Sequence, residues 1–254
     1  MVLSEKRKAI KHLLDGSSPV DAVAIYYAFR HPDDKVHLSV FPPGATRARG
    51  YLCQARTGLD LFRPLVTMRF PESDEKSLYD IAEAKELIFQ SIPEGAEVIL
   101  AAPVSYRPLL TAIFDIDKES QLKLLVLDRG RFQPIINVFV ARTKSYDGLP
   151  RFVIKQGADG RSGGPGDVVA SAGINWQSDR FAELYVHTKS PHRRQGFGQS
   201  VVAACVQYIL DMGLRPLYRV DSKNESSIQL AESVGFVSIR ADQILIEGRR
   251  RALP

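Results

Sequence analysis

The stretch Phe181 to Gly198, F-A-E-L-Y-V-H-T-K-S-P-H-R-R-Q-G-F-G, constrains the fold of this chain more than any other. From Phe181 to Thr188, β-branched and aromatic residues crowd together without Gly or Pro, which predicts a strand, and Pro191 stops it. A basic turn, Arg193-Arg194-Gln195-Gly196-Phe197-Gly198, then leads into Val201, Val202, Cys205 and Ile209 at helical spacing. A helix N-terminus exposes unpaired N–H groups and a partial positive charge. Glycines that let backbone approach a ligand, with Arg beside them, make such a turn a site for phosphate groups.

Several ligands carry phosphates, and the spacing narrows them. A dinucleotide fingerprint requires a third glycine at position 201, which is Val, and a P-loop ends in Gly-Lys-Ser/Thr, which this turn lacks. What remains is R-x-x-G-x-G. Further on, a predicted strand Pro216 to Val220 runs into Asn224-Glu-Ser-Ser-Ile-Gln-Leu-Ala-Glu-Ser-Val-Gly-Phe236, or N-x-x-S-x-x-L-x-x-x-x-G-F. Asn224 stands where a side-chain amide serves a helix start, and Gly235 stands where a helix stops. In order and spacing the two motifs together resemble those of the GNAT superfamily of acyl-CoA-dependent N-acyltransferases. The other reading is an ordinary α/β unit with an unrelated anion site.

The resemblance implies an α/β (α+β) fold with a mixed, mostly antiparallel central sheet flanked by helices. It implies acetyl-CoA as co-substrate, its pyrophosphate held by Arg193, Arg194, Gln195, Gly196, Phe197 and Gly198. The backbone around Val186, His187 and Thr188 would pair with the pantetheine amides, and Asn224 and Ser227 would lie beside that arm. Strand alternation puts Glu183, Tyr185 and His187 on one face and Leu184, Val186 and Thr188 on the other, the second set suiting the core beneath the helix. Glu183 falls near where many relatives carry a general base; His187, an ordered water or an acidic residue of the first domain are the alternatives. Where relatives often have a Tyr that protonates the departing thiolate, this chain has Ala231, with Tyr185 and Tyr218 as possible substitutes. The implied activity is transfer of acetyl to the primary amine of a small metabolite or amino-acid-like acceptor. A non-catalytic acyl-CoA-binding protein is the alternative, and a protein acceptor is a lesser variant.

Two domains are expected, residues 1–134 and 135–254. In the first, Ser4 to Leu14 reads as a helix and Ala22 to Phe29 as a helix or strand. Lys35 to Phe41, Ala48 to Ala55 and Leu65 to Phe70 read as an antiparallel meander. Glu75 to Ile92 has helical spacing, and Glu97 to Ala102 and Leu122 to Leu127 read as strands. This order is that of half an acyltransferase domain without its R-x-x-G-x-G, so the region is either a diverged, cofactor-free copy, as in the tandem and glycine-N-acyltransferase-like branches, or an unrelated α+β cap. Ile135 to Ala141 is a candidate strand of either domain, and the linker falls at Ser145 to Gly148 or near Arg129 to Pro134. Phe152 to Lys155 and Asp167 to Ile174 read as a hairpin. Between Asn137 and Ala172 there is no room for the two leading helices that usually roof an acceptor site, so the first domain is expected to cover it. Gly160 to Gly164 fits G-x-S-x-G, but a serine nucleophile elbow joins a strand to a helix, whereas here another strand follows. Trp176 reads as core or as acceptor-site wall.

Composition excludes other classes. The net charge of +5 is spread apart from Arg193-Arg194 and Arg249-Arg250-Arg251, unlike the concentrated basic face of a nucleic-acid binder. Cys53 and Cys205 are too few and too far apart for a disulfide framework. No pair among His12, His31, His37, His187 and His192 has metal-ligand spacing, so no metal is expected. Residues 1–16 lack the apolar core of a signal peptide, and no stretch reads as a membrane span, which together predict a cytoplasmic protein. Oligomeric state is not legible.

Overall fold

The computed structural model describes every residue except 59, 74–77, 147, 158–161, 163–165 and 253–254. The G-x-S-x-G stretch falls mostly outside the described residues, as do Asp147 of the expected linker and Glu75 to Ser77 of the expected helix. The chain forms two compact units, Met1–Leu122 with Ala241–Pro254, and Lys123–Arg240. This division differs from the expected 134/135 boundary because two long strands, β5 (Phe114–Leu127) and β11 (Phe236–Arg250), each begin in one unit and end in the other.

In the first unit, α1 (Leu3–Ile10) and α2 (Ala22–Ile25, continued by a π turn over Tyr26–Arg30) precede the meander β1 (Val36–Phe41), β2 (Gly50–Ala55) and β3 (Leu65–Arg69). Then come α3 (Ile81–Ser91), β4 (Glu97–Pro103), α4 (Arg107–Ile113) and the start of β5. α3 begins at Ile81 because Asp80 caps it, its side chain accepting from Glu83 N at 2.9 Å. The spacing of Ala84, Leu87 and Ile88 buries one face of α3 in a core with Leu52, Val66 and Leu100. β4 runs parallel to β3, as a strand reached through a helical crossover can. The strand order is β1-β2-β3-β4-β11-β5, so the returning β11 lies between β4 and β5. Two arginines of the basic tail are paired here: Arg249 with Glu97, and Arg251, whose Nε donates to Asp115 Oδ1 at 2.6 Å.

The second unit adds β6 (Ala141–Lys144), β7 (Pro150–Gln156), β8 (Asp167–Gln177), β9 (Phe181–Thr188), α5 (Phe197–Asp211), β10 (Arg215–Asp221) and α6 (Glu225–Val234). The strand expected over Ile135 to Ala141 instead occupies Ala141–Lys144; Ile136 and Val138 before it are exposed. The hairpin forms as expected, β7 pairing with β8 and β8 with β9, all antiparallel, while β10 joins β9 in parallel. The order is β11-β5-β10-β9-β8-β7-β6, so the end of β5 lies between β10 and β11. Val201, Val202, Cys205, Val206 and Ile209 of α5 pack onto Leu184, Ile154 and Ala172. Each fully buried Val or Ile contributes about 1.5–3 kcal/mol.

The two units repeat one topology: an antiparallel meander (β1-β2-β3, β7-β8-β9), a helix (α3, α5), a strand parallel to the last (β4, β10), a second helix (α4, α6) and a long strand (β5, β11). Leading helices precede the meander in the first unit, whereas among the described residues between β5 and β8 there is no helix. Nor, among the described residues, is any helix long and apolar enough to cross a membrane.

Candidate active site

The site forms where β9 and β10 part. Their parallel register runs through Arg215↔Phe181, Pro216↔Ala182 and Leu217↔Glu183 and ends there. β9 continues to Thr188, paired through its other edge to β8 as far as Ala170↔Thr188. Polar backbone groups of β9 beyond Glu183 on the β10 side therefore have no strand partner among the described residues, and such groups call for a ligand or water.

Opposite Glu183, β8 carries a bulge. The register steps from Ile174↔Leu184 to Trp176↔Glu183, leaving Asn175 as the additional residue. Asn175 Nδ2 donates to Glu183 Oε1 at 3.0 Å. Arg219 donates to the same carboxylate twice, Nη2 to Oε1 at 3.3 Å and Nε to Oε2 in a shorter contact. Glu183 is buried, with 6% of its side chain exposed, and Arg219 is half-buried, with 16%. Among the described residues no His, Cys, Asp and Glu side chains gather three at a time to hold a metal ion.

β9 divides its faces as its alternation predicts. Leu184 is in the core under α5, with Val186 packed against it, while His187 is exposed. Tyr185 lies over Gly173, where an added Cβ would come within 2.8 Å of the phenol ring. Trp176 is buried.

Each glycine of the turn has its own physical reason. Gly196 caps α5 in the left-handed conformation, φ 77°, one residue after Gln195 and two after Arg194 at φ 61°. A Cβ at Gly196 would meet nothing within 4 Å, so open space lies above this backbone. A Cβ at Gly198 would stand 3.0 Å from Thr188 Oγ1 and 3.4 Å from Leu230 Cδ2, so Gly198 lets α5 approach β9 and α6 closely. The first helical bond is Ser200 N to Gly196 O at 3.0 Å, and the N–H groups of Phe197, Gly198 and Gln199 precede it. Arg193 Nε donates to Thr188 O at 3.3 Å, tying the turn to the end of β9, and Gln195 Nε2 donates to Pro191 O at 3.3 Å. Arg193, Arg194 and Gln195 are exposed and Phe197 is half-buried. Exposed donors on an open backbone turn suit a phosphate-bearing group.

Asn224 caps α6: its Oδ1 accepts from Ser227 N at 3.2 Å and from Ser226 Oγ at 3.0 Å. Gly235 closes the helix at φ 106°, and a Cβ there would stand 2.9 Å from Phe132 N. Ser227 Oγ accepts from the Tyr218 hydroxyl at 3.3 Å, and burial pushes the Tyr218 pKa up. Ala231 is buried in the core. Sequence reasoning missed Arg219, Asn175 and the Tyr218–Ser227 link. One signal for Arg219 was available: an arginine inside the apolar strand L-Y-R-V requires a buried anionic partner.

A parallel strand pair that forks onto a glycine turn and helix N-terminus, within a mixed sheet flanked by helices, defines the GNAT acyltransferase fold. Residues 162–244 match the family model described as GNAT acetyltransferase. Solved structures of the same fold span nearly the whole chain. An acetyltransferase of the GNAT family from Colwellia psychrerythraea superposes with TM-score 0.61 at 11% identity, covering 98% of each chain. A Drosophila protein gives TM-score 0.64 at 13% identity, over 98% of this chain and 89% of that one. A tandem GNAT protein from the clavulanic acid biosynthesis pathway gives 0.58 at 12% identity, over 99% and 95%. No curated protein matches the sequence. The chain carries a GNAT acetyltransferase domain in its C-terminal half, within a two-domain fold of the kind the tandem protein has. The match over residues 162–244 supports an acetyltransferase.

Proposed function

We propose that this protein transfers the acetyl group of acetyl-CoA to the primary amine of a small metabolite or amino-acid-like acceptor. The observation that carries the reading is the fork of β9 and β10 leading onto the open Gly196 turn. Acetyl-CoA supplies the activated thioester carbonyl. The N–H groups of Phe197, Gly198 and Gln199, with Arg193, Arg194, Gln195 and the Gly196 backbone, hold its pyrophosphate. The unpaired edge of β9 at Val186, His187 and Thr188 hydrogen-bonds its pantetheine amides, and Asn224 and Ser227 flank that arm.

An amine acceptor is protonated in water, with a pKa of about 10.4 for a lysine-like group, and must lose a proton before it attacks. Glu183 is on the strand face expected to meet the acceptor, and we assign it to collect that proton through a water. Three donors occupy its oxygens and a carboxylate offers about four acceptor sites, so one is left for the water. Amine nitrogen then bonds to the acetyl carbon as the carbon–sulfur bond breaks. Tyr218, next to Leu217 at the fork, keeps its phenol proton well into alkaline pH and delivers it to the thiolate in place of the Tyr that Ala231 lacks.

The contact with Arg219 favours a second reading of one residue, in which Glu183 is structural, because the ion pair ties β9 to β10 at the last registered pair of the two strands. Free-thiol release from acetyl-CoA against a panel of small amines and lysine peptides tests the function. Release that requires a small amine supports the proposal; a peptide requirement moves the acceptor to protein. Binding of acetyl-CoA with no release for any amine makes the chain a binding protein.

A further inference from the structure

The first unit has a fork of its own. β3 and β4 run parallel through Leu65↔Ile99, Val66↔Leu100 and Thr67↔Ala101 and then part. A cavity of ≈ 240 Å³ opens there, between the strands and the start of α2, with Asp21, Tyr51, Thr67, Arg69, Tyr106 and Gln243 supplying its polar groups.

Most of those groups are hydrogen-bond donors, and Gln243 Nε2 already donates to Val20 O at 3.5 Å. Asp21, the acidic one, is already engaged: Oδ1 accepts from Arg69 Nη2 at 2.6 Å and Oδ2 from Asp15 N at 2.9 Å. Arg69 Nε and Nη1 donate to none of the described residues. Thr67 is 3% exposed, and its buried Oγ1 has no oxygen or nitrogen partner, its one hydrogen-bonding neighbour being a thiol. Across the strand pair from Thr67 is the Cys53 thiol, a weak partner at best. The Tyr51 hydroxyl also makes no bond to a described residue, although the side chain is 1% exposed. Tyr106 Oη accepts from Phe70 N at 3.3 Å, which leaves its own proton to donate. A buried polar group without a full partner costs roughly 1–3 kcal/mol, and Thr67 beside the unused donors of Tyr51, Tyr106 and the partly exposed Arg69 gives the cavity a lining that an acceptor would satisfy. Val20, Val23 and Ala24 make the remaining wall apolar.

We propose that this cavity binds a small carboxylate with a short apolar body, its oxygens meeting Arg69, Tyr51 and Thr67 and its body lying against Val20, Val23 and Ala24. The anion completes the guanidinium that Asp21 pairs with on one side only. The inference concerns the first unit and does not rest on acetyl transfer in the second.

Calorimetry and saturation-transfer NMR on the full-length protein, with isovalerate as probe and isovaleramide as its neutral match, test it. Isovalerate should bind saturably and about tenfold or more tightly than the amide, since bonds to a charged group are the stronger ones. Tyr51→Phe and Thr67→Val, which preserve shape, should each weaken isovalerate binding about tenfold. Arg69→Gln, which still offers Asp21 a donor, should abolish it. If Arg69→Gln does not fold, the two conservative variants decide alone. No binding to wild type, equal affinity for acid and amide, or affinities unchanged in both Tyr51→Phe and Thr67→Val would each overturn the proposal and leave the cavity to water.

Discussion

Arg219 on β10 grips the Glu183 carboxylate on β9 beside the last registered pair of the two strands, Leu217↔Glu183. The pair bridges the strands where hydrogen bonding between them ends. Removing one member of a buried ion pair leaves the other charge unmatched at a cost of about 3–5 kcal/mol. Arg219→Gln should therefore lower the urea midpoint markedly. In a double-mutant cycle with Glu183→Gln, the two changes together should cost about 1 kcal/mol or more less than their sum.

The same carboxylate separates two roles by kinetics. With Glu183 as the proton acceptor, Glu183→Gln keeps acetyl-CoA affinity while the transfer rate falls by roughly 10²–10⁴-fold. The pH profiles of wild type and variant should differ, the variant's following the ionisation of the acceptor amine. Overlapping pH profiles and equal rates would assign Glu183 to structure alone.

Gly196→Val tests the phosphate cradle. Its Cβ would meet open space, so the protein loses no packing there and carries only the strain of a β-branched residue at φ 77°, of order 1–3 kcal/mol. Acetyl-CoA, by contrast, should meet a side chain where it needs backbone. Calorimetry should find the affinity lowered at least tenfold in a folded protein, and unchanged affinity would remove the turn from the site. Gly198→Val should act the other way, through stability, because its side chain would press on Thr188 and Leu230.

The turn and both helix ends were legible in the sequence because local rules govern them: Gly196 and Gly235 adopt positive φ, and Asn224 caps its helix. The meander of the first unit was legible from alternation and turn residues. The unit boundary was not, because the partners of β5 and β11 are set by pairing between segments far apart along the chain. β11 itself has an alternating pattern with polar residues at half its positions and no flanking breaker near Arg250, and it went unread. Arg219 and Asn175 were missed for a related reason: a bulge and a cross-strand ion pair depend on register, which spacing along one strand does not contain.

Tyr218 supplies a pH test of the acid. Burial raises its pKa, so the folded protein keeps the phenol neutral above the ordinary value of about 10. An acid must hold its proton to act, so the rate should decline only as pH rises through that raised value. Tyr218→Phe should reduce kcat about a hundredfold with little change in KM and abolish this alkaline decline. A variant with wild-type kcat would return the search to Tyr185.

Burial also pushes the thiols of Cys53 and Cys205 up to about 12. Here the protonated form is the one the fold favours, so the unfolded chain releases its protons first as pH rises. The stability these thiols contribute is whole below the unfolded value of about 8.5 and is lost between there and about 12. Denaturation midpoints should fall across that window. Cys205→Ala should start lower, because it leaves a cavity, and decline less steeply. Parallel slopes would mean that the Cys205 thiol titrates freely in the folded state.

The strand order makes a last prediction about dissection of the chain. A fragment beginning at Leu149 contains both sequence motifs and all of α5, β10 and α6, and by motif content alone it is a complete cofactor site. It lacks Lys123–Leu127, the end of β5 that lies between β10 and β11. Its loss strips Leu125 and Leu127 from the core that holds Leu184, Val206 and Phe236, and it leaves strand edges of β10 and β11 unpaired. The fragment 149–254 should therefore be unfolded by circular dichroism and bind no acetyl-CoA. The fragment 123–240, which matches the compact unit, should give a dispersed NMR spectrum and retain some affinity. If 149–254 folds and binds as tightly as the whole chain, β5 is dispensable to the second unit, and the strand order would not describe what holds the cofactor site together.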